Sequence, residues 1–115
     1  MRWTDLANVP LVVSRSGYGV RRLIDGVATK AGVELQIVNE VSFLPTALWM
    51  VASGLGGAAI FPAALVTEPY ENLVTKPLVA PVVTRSIGLI TQRGRSLSPA
   101  CESFVEVLRQ SLARR

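Results

Sequence analysis

The sequence predicts an α/β fold, a mostly parallel sheet flanked by helices. Three observations carry that expectation. Short apolar runs alternate with longer stretches of helical periodicity. Turns bearing glycine, serine or proline separate them. The longest uncharged segment, residues 41–67, itself divides into a helix and a strand. Strand–helix–strand–helix–strand order requires right-handed crossovers, and these make neighbouring strands parallel.

The elements follow in order. Leu11, Val12 and Val13 form a short apolar strand, and Ser14, Arg15, Ser16 and Gly17 form the loop after it. A helix over residues 18–31 follows, with Val20, Leu23, Ile24, Val27, Ala28 and Ala31 on one stripe and Gly32 closing it. Residues 34–41 alternate, which places Leu35, Ile37, Asn39 and Val41 on one strand face. Leu44, Ala47, Leu48 and Val51 then share a helical face, with Pro45 in the first turn and Ser53 and Gly54 as the stop. Ala58, Ala59, Ile60 and Phe61 form a buried strand ended by Pro62. One helical turn is expected over residues 63–67, and a loop over 68–72. Residues 73–79 are expected as an edge strand, since Pro77 cannot donate to a ladder, and residues 87–91 as a further strand. Ser98 and Pro99 start a last helix with Cys101, Phe104, Val105, Leu108 and Leu112 on its stripe. No internal repeat or low-complexity segment is evident.

The uncharged run is long enough to cross a bilayer, but its composition argues against that. Ser53, Gly54, Leu55, Gly56 and Gly57 interrupt its middle, Pro45 and Pro62 lie near its ends, and the nearest charges are Glu40 and Glu68. No Lys or Arg stands immediately outside to set an orientation. The run reads as helix, turn and strand in a deeply buried core, and no membrane association is expected. The N-terminal segment shows no secretory signal pattern, so a cytoplasmic location is expected.

Composition narrows the chemistry. The 115 residues suffice for one domain with a core. The net charge of +4 reflects arginines scattered or gathered near the C-terminus, with no basic surface of the kind that binds nucleic acid. One cysteine, Cys101, excludes an intrachain disulfide, and the lack of histidine excludes a Ser–His or Cys–His pair and any histidine-containing metal site. Gly17, Tyr18 and Gly19 are followed by Arg22 where a dinucleotide fingerprint needs glycine. No phosphate-binding loop or G-x-S-x-G elbow is present. Glu34 and Glu40 share a strand face and read as exposed or salt-bridged, Cys101 as a buried structural thiol, and Trp3 and Trp49 as packing residues. Neither a cofactor nor an enzymatic activity is expected.

In open parallel sheets ligands bind beyond the carboxyl ends of the strands, against helix N-termini. Three such places exist: the loop from Ser14 to Gly19, the turn at Ser42, Phe43 and Leu44, and the turn at Phe61, Pro62 and Ala63. Hydroxyls and free backbone N–H groups at the first two favour an anion such as a carboxylate or phosphate.

The ordered set of motifs resembles the LysR-type transcriptional regulators. It comprises Asp5-Leu6-Ala7 with Pro10-Leu11, then Gly19-Val20-Arg21-Arg22-Leu23-Ile24-Asp25, then Met50-Val51-Ala52-Ser53-Gly54-Leu55-Gly56-Gly57 leading to Phe61-Pro62. It ends with Arg93-Gly94-Arg95-Ser96-Leu97-Ser98-Pro99-Ala100, Phe104 and Leu108-Arg109. The match is to the C-terminal part of the effector-binding region, which resembles type 2 periplasmic binding proteins, two α/β lobes around a small-molecule cleft. The resemblance implies that residues 1–115 are a partial effector-binding domain. Residues 10–84 would be the second lobe, and residues 85–115 the return strand and C-terminal helix that pack on a first lobe. It also implies that the DNA-binding winged helix-turn-helix and most of the first lobe lie outside this chain, so that DNA is reached only through a domain absent from it. Effector contacts are expected from Ser14, Arg15, Ser16, Ser42, Phe43, Phe61 and Pro62: hydrogen bonds from the hydroxyls and strand-end N–H groups, charge pairing from Arg15, packing from Phe43. The effector is expected to be an anionic or aromatic carboxylate and the protein a homo-oligomer, with self-association through apolar faces left open. The competing readings are a structural or oligomerisation fragment without a ligand, and a lobe of a solute-binding or enzymatic protein on the same fold.

Overall fold

The computed structural model describes residues 1–66 and 69–114. Residues 67 and 68, assigned above to the ends of a helical turn and a loop, lie outside the described residues. The chain divides into two compact units, Met1–Thr84 and Arg85–Arg115.

The first unit is built on a three-stranded parallel sheet in the order β2-β1-β3, with β1 Leu11–Ser14, β2 Ile37–Val41 and β3 Ala58–Ala59. As the central strand, β1 is covered on both faces, so its continuous apolar sequence is what burial requires. Successive side chains point to opposite faces. Leu11 and Val13 pack with Trp3, Leu6, Ile24 and Val27, and Val12 packs with Val41 and Ala47. Helix α1 (Gly19–Ala31) and a 3-10 turn (Trp3–Asn8) cover the first face, and helix α2 (Leu44–Ala52) covers the second.

Helix α1 presents the expected stripe and ends at Gly32, whose φ of 69° allows its N–H to reach the carbonyls of Ala28 and Thr29. Helix α2 buries Ala47 and Leu48 and stops at Ser53. The glycines that follow have different tasks. Gly54 takes a φ of +82°, whereas Gly56 and Gly57 permit close approach to β1. A Cβ on Gly56 would lie 2.7 Å from Val12 Cγ2, and one on Gly57 would lie 3.1 Å from Pro10 Cδ. The uncharged stretch is therefore helix, turn and strand against the sheet. Among the described residues no helix is long and apolar enough to cross a membrane.

Four expectations in this unit are corrected. Strand β3 is only Ala58–Ala59 and half-buried, not a buried strand through Phe61, since only Leu11 and Val12 of β1 pair with it. Strand β2 is shorter than residues 34–41, and its faces do not alternate without interruption. Leu11 pairs with Ile37 but Val12 pairs with Asn39, so Val38 is an extra residue and the register shifts there. Beyond the shift the parity reverses. Asn39 and Val41 turn to the α2 side, and Glu40 turns to the α1 side. The expected 73–79 edge strand reduces to a bridge of Val79 with Arg2, held by Trp3 N–H to Val79 O (3.3 Å) and Val79 N–H to Met1 O (2.9 Å). Pro77 has no N–H to extend it. Trp49 is 71% exposed, since its position off the α2 stripe points away from the sheet. Trp3, by contrast, is buried and its Nε1–H donates to Pro81 O at 3.1 Å.

The second unit has helix α3, Pro99–Ala113, as the regular element among its described residues. Ser98 caps it, its Oγ accepting from Cys101 N at 3.3 Å, with Pro99 at the first helical position. Residues 87–91, expected as a strand, form no ladder, and Ile90 is 95% exposed. An extended segment becomes a strand only where another backbone offers it partners. The α3 stripe is formed but not buried: Val105 and Leu108 are half-buried, and Cys101, Phe104 and Leu112 are exposed. The Cys101 thiol expected in a core is thus exposed, because a single helix and its lead-in offer no second apolar surface to cover it.

Candidate functional site

A cavity of about 350 Å³ opens at the carboxyl edge of the sheet. Ser14, the last residue of β1, and Ser42, just past β2, are among its lining residues. The start of α1 contributes Tyr18 and Val20, and the start of α2 contributes Phe43, Leu44, Pro45 and Leu48. The segment after β3 supplies Phe61, Leu65 and Tyr70. The walls are apolar and partly aromatic, with few polar atoms among them.

Ser14 is the exception to the apolar character of β1. It is 5% exposed, and its Oγ has no hydrogen-bond partner. A hydroxyl buried without a partner is costly, typically by about 1–3 kcal/mol, so its place on the wall of a cavity is informative. Both helices that reach the cavity present uncapped N-termini. Neither Tyr18 nor Phe43 makes a side-chain capping bond, and neither first turn carries an acidic residue. The positive end of each helix therefore faces this edge, although in the first turn of α2 Pro45 has no N–H and the Thr46 N–H already donates to Phe43 O at 3.0 Å.

An ionic cluster stands beside it. Arg21 of α1, with its side chain only 12% exposed, donates through Nε to Asp25 Oδ1 at 3.0 Å and through Nη1 to Glu40 Oε2 at 2.6 Å. The same Nη1 donates to the Ser14 carbonyl at 3.1 Å. Glu40 Oε2 also accepts from the Ser16 N–H at 3.4 Å. The Arg21 hydrogen bond, first among several effects, holds the Glu40 carboxyl below its ordinary pKa. For Arg21 the largest single effect, burial, acts downward, but the bonds and charges of Asp25 and Glu40 together raise its pKa.

Of the residues singled out from the sequence, Ser14, Ser42, Phe43 and Phe61 line the cavity. Arg15, Ser16 and Pro62 do not. The Arg15 guanidinium reaches across to Ser42 Oγ at 3.4 Å, Ser16 is tied to Glu40, and Pro62 begins the 3-10 turn Ala63–Leu65. Sequence reasoning missed Tyr18, Leu48 and Tyr70 as wall residues. Tyr18 stood in the loop already named, whereas Leu48 was fully accounted for by its core stripe. Glu40 was paired with Glu34 on one face, and the register shift at Val38 is what gives it to Arg21 instead.

A family model described as LysR substrate binding domain matches residues 1–113. The chain belongs to the LysR substrate-binding domain family. Its α/β architecture, a three-stranded parallel sheet flanked by helices, is consistent with the periplasmic-binding-protein-like fold of that family. It is 34% identical over 108 residues to the uncharacterized HTH-type transcriptional regulator YbhD of Escherichia coli (strain K12), which covers 94% of this chain and 34% of that protein. It is 31% identical over 111 residues to a probable nitrogen assimilation transcriptional activator of Synechococcus elongatus, covering 96% of this chain and 36% of the relative. The transcriptional dual regulator GltC of Bacillus subtilis is 26% identical over 107 residues, 92% of this chain and 35% of its own length. The chain thus spans about a third of the length of these curated relatives. No solved structure gives a significant match. LysR-type regulators bind small-molecule effectors and act as oligomers on DNA.

Proposed function

We propose that the chain senses a small organic anion, a carboxylate with an apolar or aromatic body, in the cavity at the carboxyl edge of its sheet. The observation that carries this is that Ser14, whose buried hydroxyl lacks a partner, lines an otherwise apolar cavity where two helices begin without side-chain caps. A ligand with one polar end would satisfy Ser14 and the helix ends, while Tyr18, Phe43 and Phe61 cover its apolar body. Ser42 sits at the same edge, with Arg15 donating to its hydroxyl from the rim.

On this reading the chain is no enzyme. It offers a cavity without an acid–base pair, and the relatives it matches carry the names of regulators. On the same reading residues 10–84 are one lobe of a cytoplasmic regulator, and residues 85–115 carry a helix that docks on another. Ligand occupancy alters transcription by binding one arrangement of a DNA-bound oligomer more tightly than another.

Thermal-shift measurements of the 115-residue chain with benzoate and a panel of small carboxylates test the proposal. At a hundredfold excess over Kd, binding stabilises by about 2.7 kcal/mol, a rise of several degrees for a domain of this size. No shift with any member of the panel contradicts it. That outcome favours the second reading, an assembly fragment, for which the exposed apolar stripe of α3 is the supporting observation.

A further inference from the structure

We infer that Arg21 is a positioning residue that makes this cavity fit for an anion, by neutralising Glu40 and by fixing the Ser14 strand end. The inference rests on the reading of the cavity given above and adds a charge requirement to it. Arg21 does not line the cavity. Its Nη1 atom bonds both Glu40 Oε2 and the Ser14 carbonyl, which places a carboxylate within two hydrogen-bond lengths of the backbone that presents the unpartnered hydroxyl.

Glu40 is on the α1 side of the sheet, within reach of Arg21, because of the extra residue in β2, and its side chain remains 45% exposed. Left alone, its charge would repel an anion entering beside it. Asp25, on the same helix as Arg21, would add to that repulsion. The remaining charged neighbour is Arg15, whose guanidinium reaches Ser42 and whose charge also favours ionised Glu40. A cation held at the Glu40–Ser14 junction therefore has two effects. It cancels the nearest negative charge, and it occupies the Ser14 carbonyl so that the strand end cannot swing. The low exposure of the Arg21 side chain, 12%, and its three acceptors keep the guanidinium in one place.

The test compares benzoate with its neutral counterpart benzamide by calorimetric titration of the 115-residue chain. Arg21→Met should weaken benzoate by about fivefold at low salt while changing benzamide less than about twofold, as expected for an uncompensated charge at short range in a partly hydrated setting. The loss should shrink in high salt. Arg21→Met with Glu40→Gln should restore most of the benzoate-to-benzamide ratio, and Arg21→Lys should preserve it. If Arg21→Met does not fold, Glu40→Gln alone carries the test, shifting that ratio toward benzoate by a few-fold. An unchanged ratio in the variant that carries the test, or equal losses for the two probes, overturns the inference while leaving the cavity's assignment intact. Failure of benzoate to bind the unsubstituted chain when another carboxylate binds moves the comparison to that acid and its amide. Failure of every carboxylate overturns the assignment and the inference together.

Discussion

Strand β1 and helix α3 are both written in apolar residues, yet they end in opposite environments. All four residues of β1 are buried, and none of the fifteen in α3 is. The difference lies in what surrounds them. Strand β1 has a strand on each edge and a helix on each face, whereas α3 lies in a unit with no second regular element among its described residues. Periodicity specifies which face of an element wants burial, but the partner surface decides whether it is buried. The site lies at the end of β1, where the apolar run gives way to a buried serine that lines the cavity.

The largest expected effect comes from truncating β1. Leu11→Ala should destabilise the Met1–Thr84 unit by about 2–5 kcal/mol in chemical denaturation, since a fully buried leucine leaves a cavity. The matching change on the other side, Leu108→Ala in α3, should stay within about 0.5 kcal/mol for a half-buried side chain. A large loss from Leu108→Ala would mean that α3 has a partner surface in solution.

Next in size is Gly56→Ala. The added methyl would meet Val12 Cγ2 at 2.7 Å, and the expected cost is about 1–3 kcal/mol. Gly88→Ala, in open space, should be nearly neutral in the same denaturation measurement. Removing the α3 cap comes third. Ser98→Ala should cost that helix about 1 kcal/mol, seen as lost far-UV helicity with no change in the denaturation of the first unit.

The smallest effect is a pH dependence. Because the folded-state pKa of Glu40 lies below its ordinary value of 4.5, its ion pair contributes fully above that value. The contribution is lost as pH falls through the depressed folded pKa. Glu40→Gln should therefore flatten the acid limb of stability slightly and leave the neutral range unaltered in its slope.

Much of the fold was legible because it depends on local pattern. The stripes of α1 and α2, the apolar β1, the Ser98–Pro99 start of α3 and the glycine closures follow from side-chain spacing and backbone sterics. What escaped depends on pairing between distant segments. The extra residue at Val38 has no signature in the alternation of residues 34–41, and it alone decides that Glu40 meets Arg21. The expected strands at 73–79 and 87–91 have strand-like composition, yet composition supplies no neighbouring backbone. At the site, position in the parallel-sheet grammar located Ser14, Ser42, Phe43 and Phe61 beside one another. It could not separate them from Arg15, Ser16 and Pro62, since adjacent loop residues point in different directions.

The most direct measurement is calorimetric titration of benzoate into the unsubstituted chain and its Ser14→Ala variant, with folding of both verified by denaturation. The variant removes an unpartnered hydroxyl, so its stability should be equal or greater. Saturable binding to the unsubstituted chain is expected, with an affinity at least about tenfold weaker in Ser14→Ala, the loss of one charged hydrogen bond. Equal affinity for both chains would contradict the claim that the Ser14 hydroxyl is the polar anchor of the site.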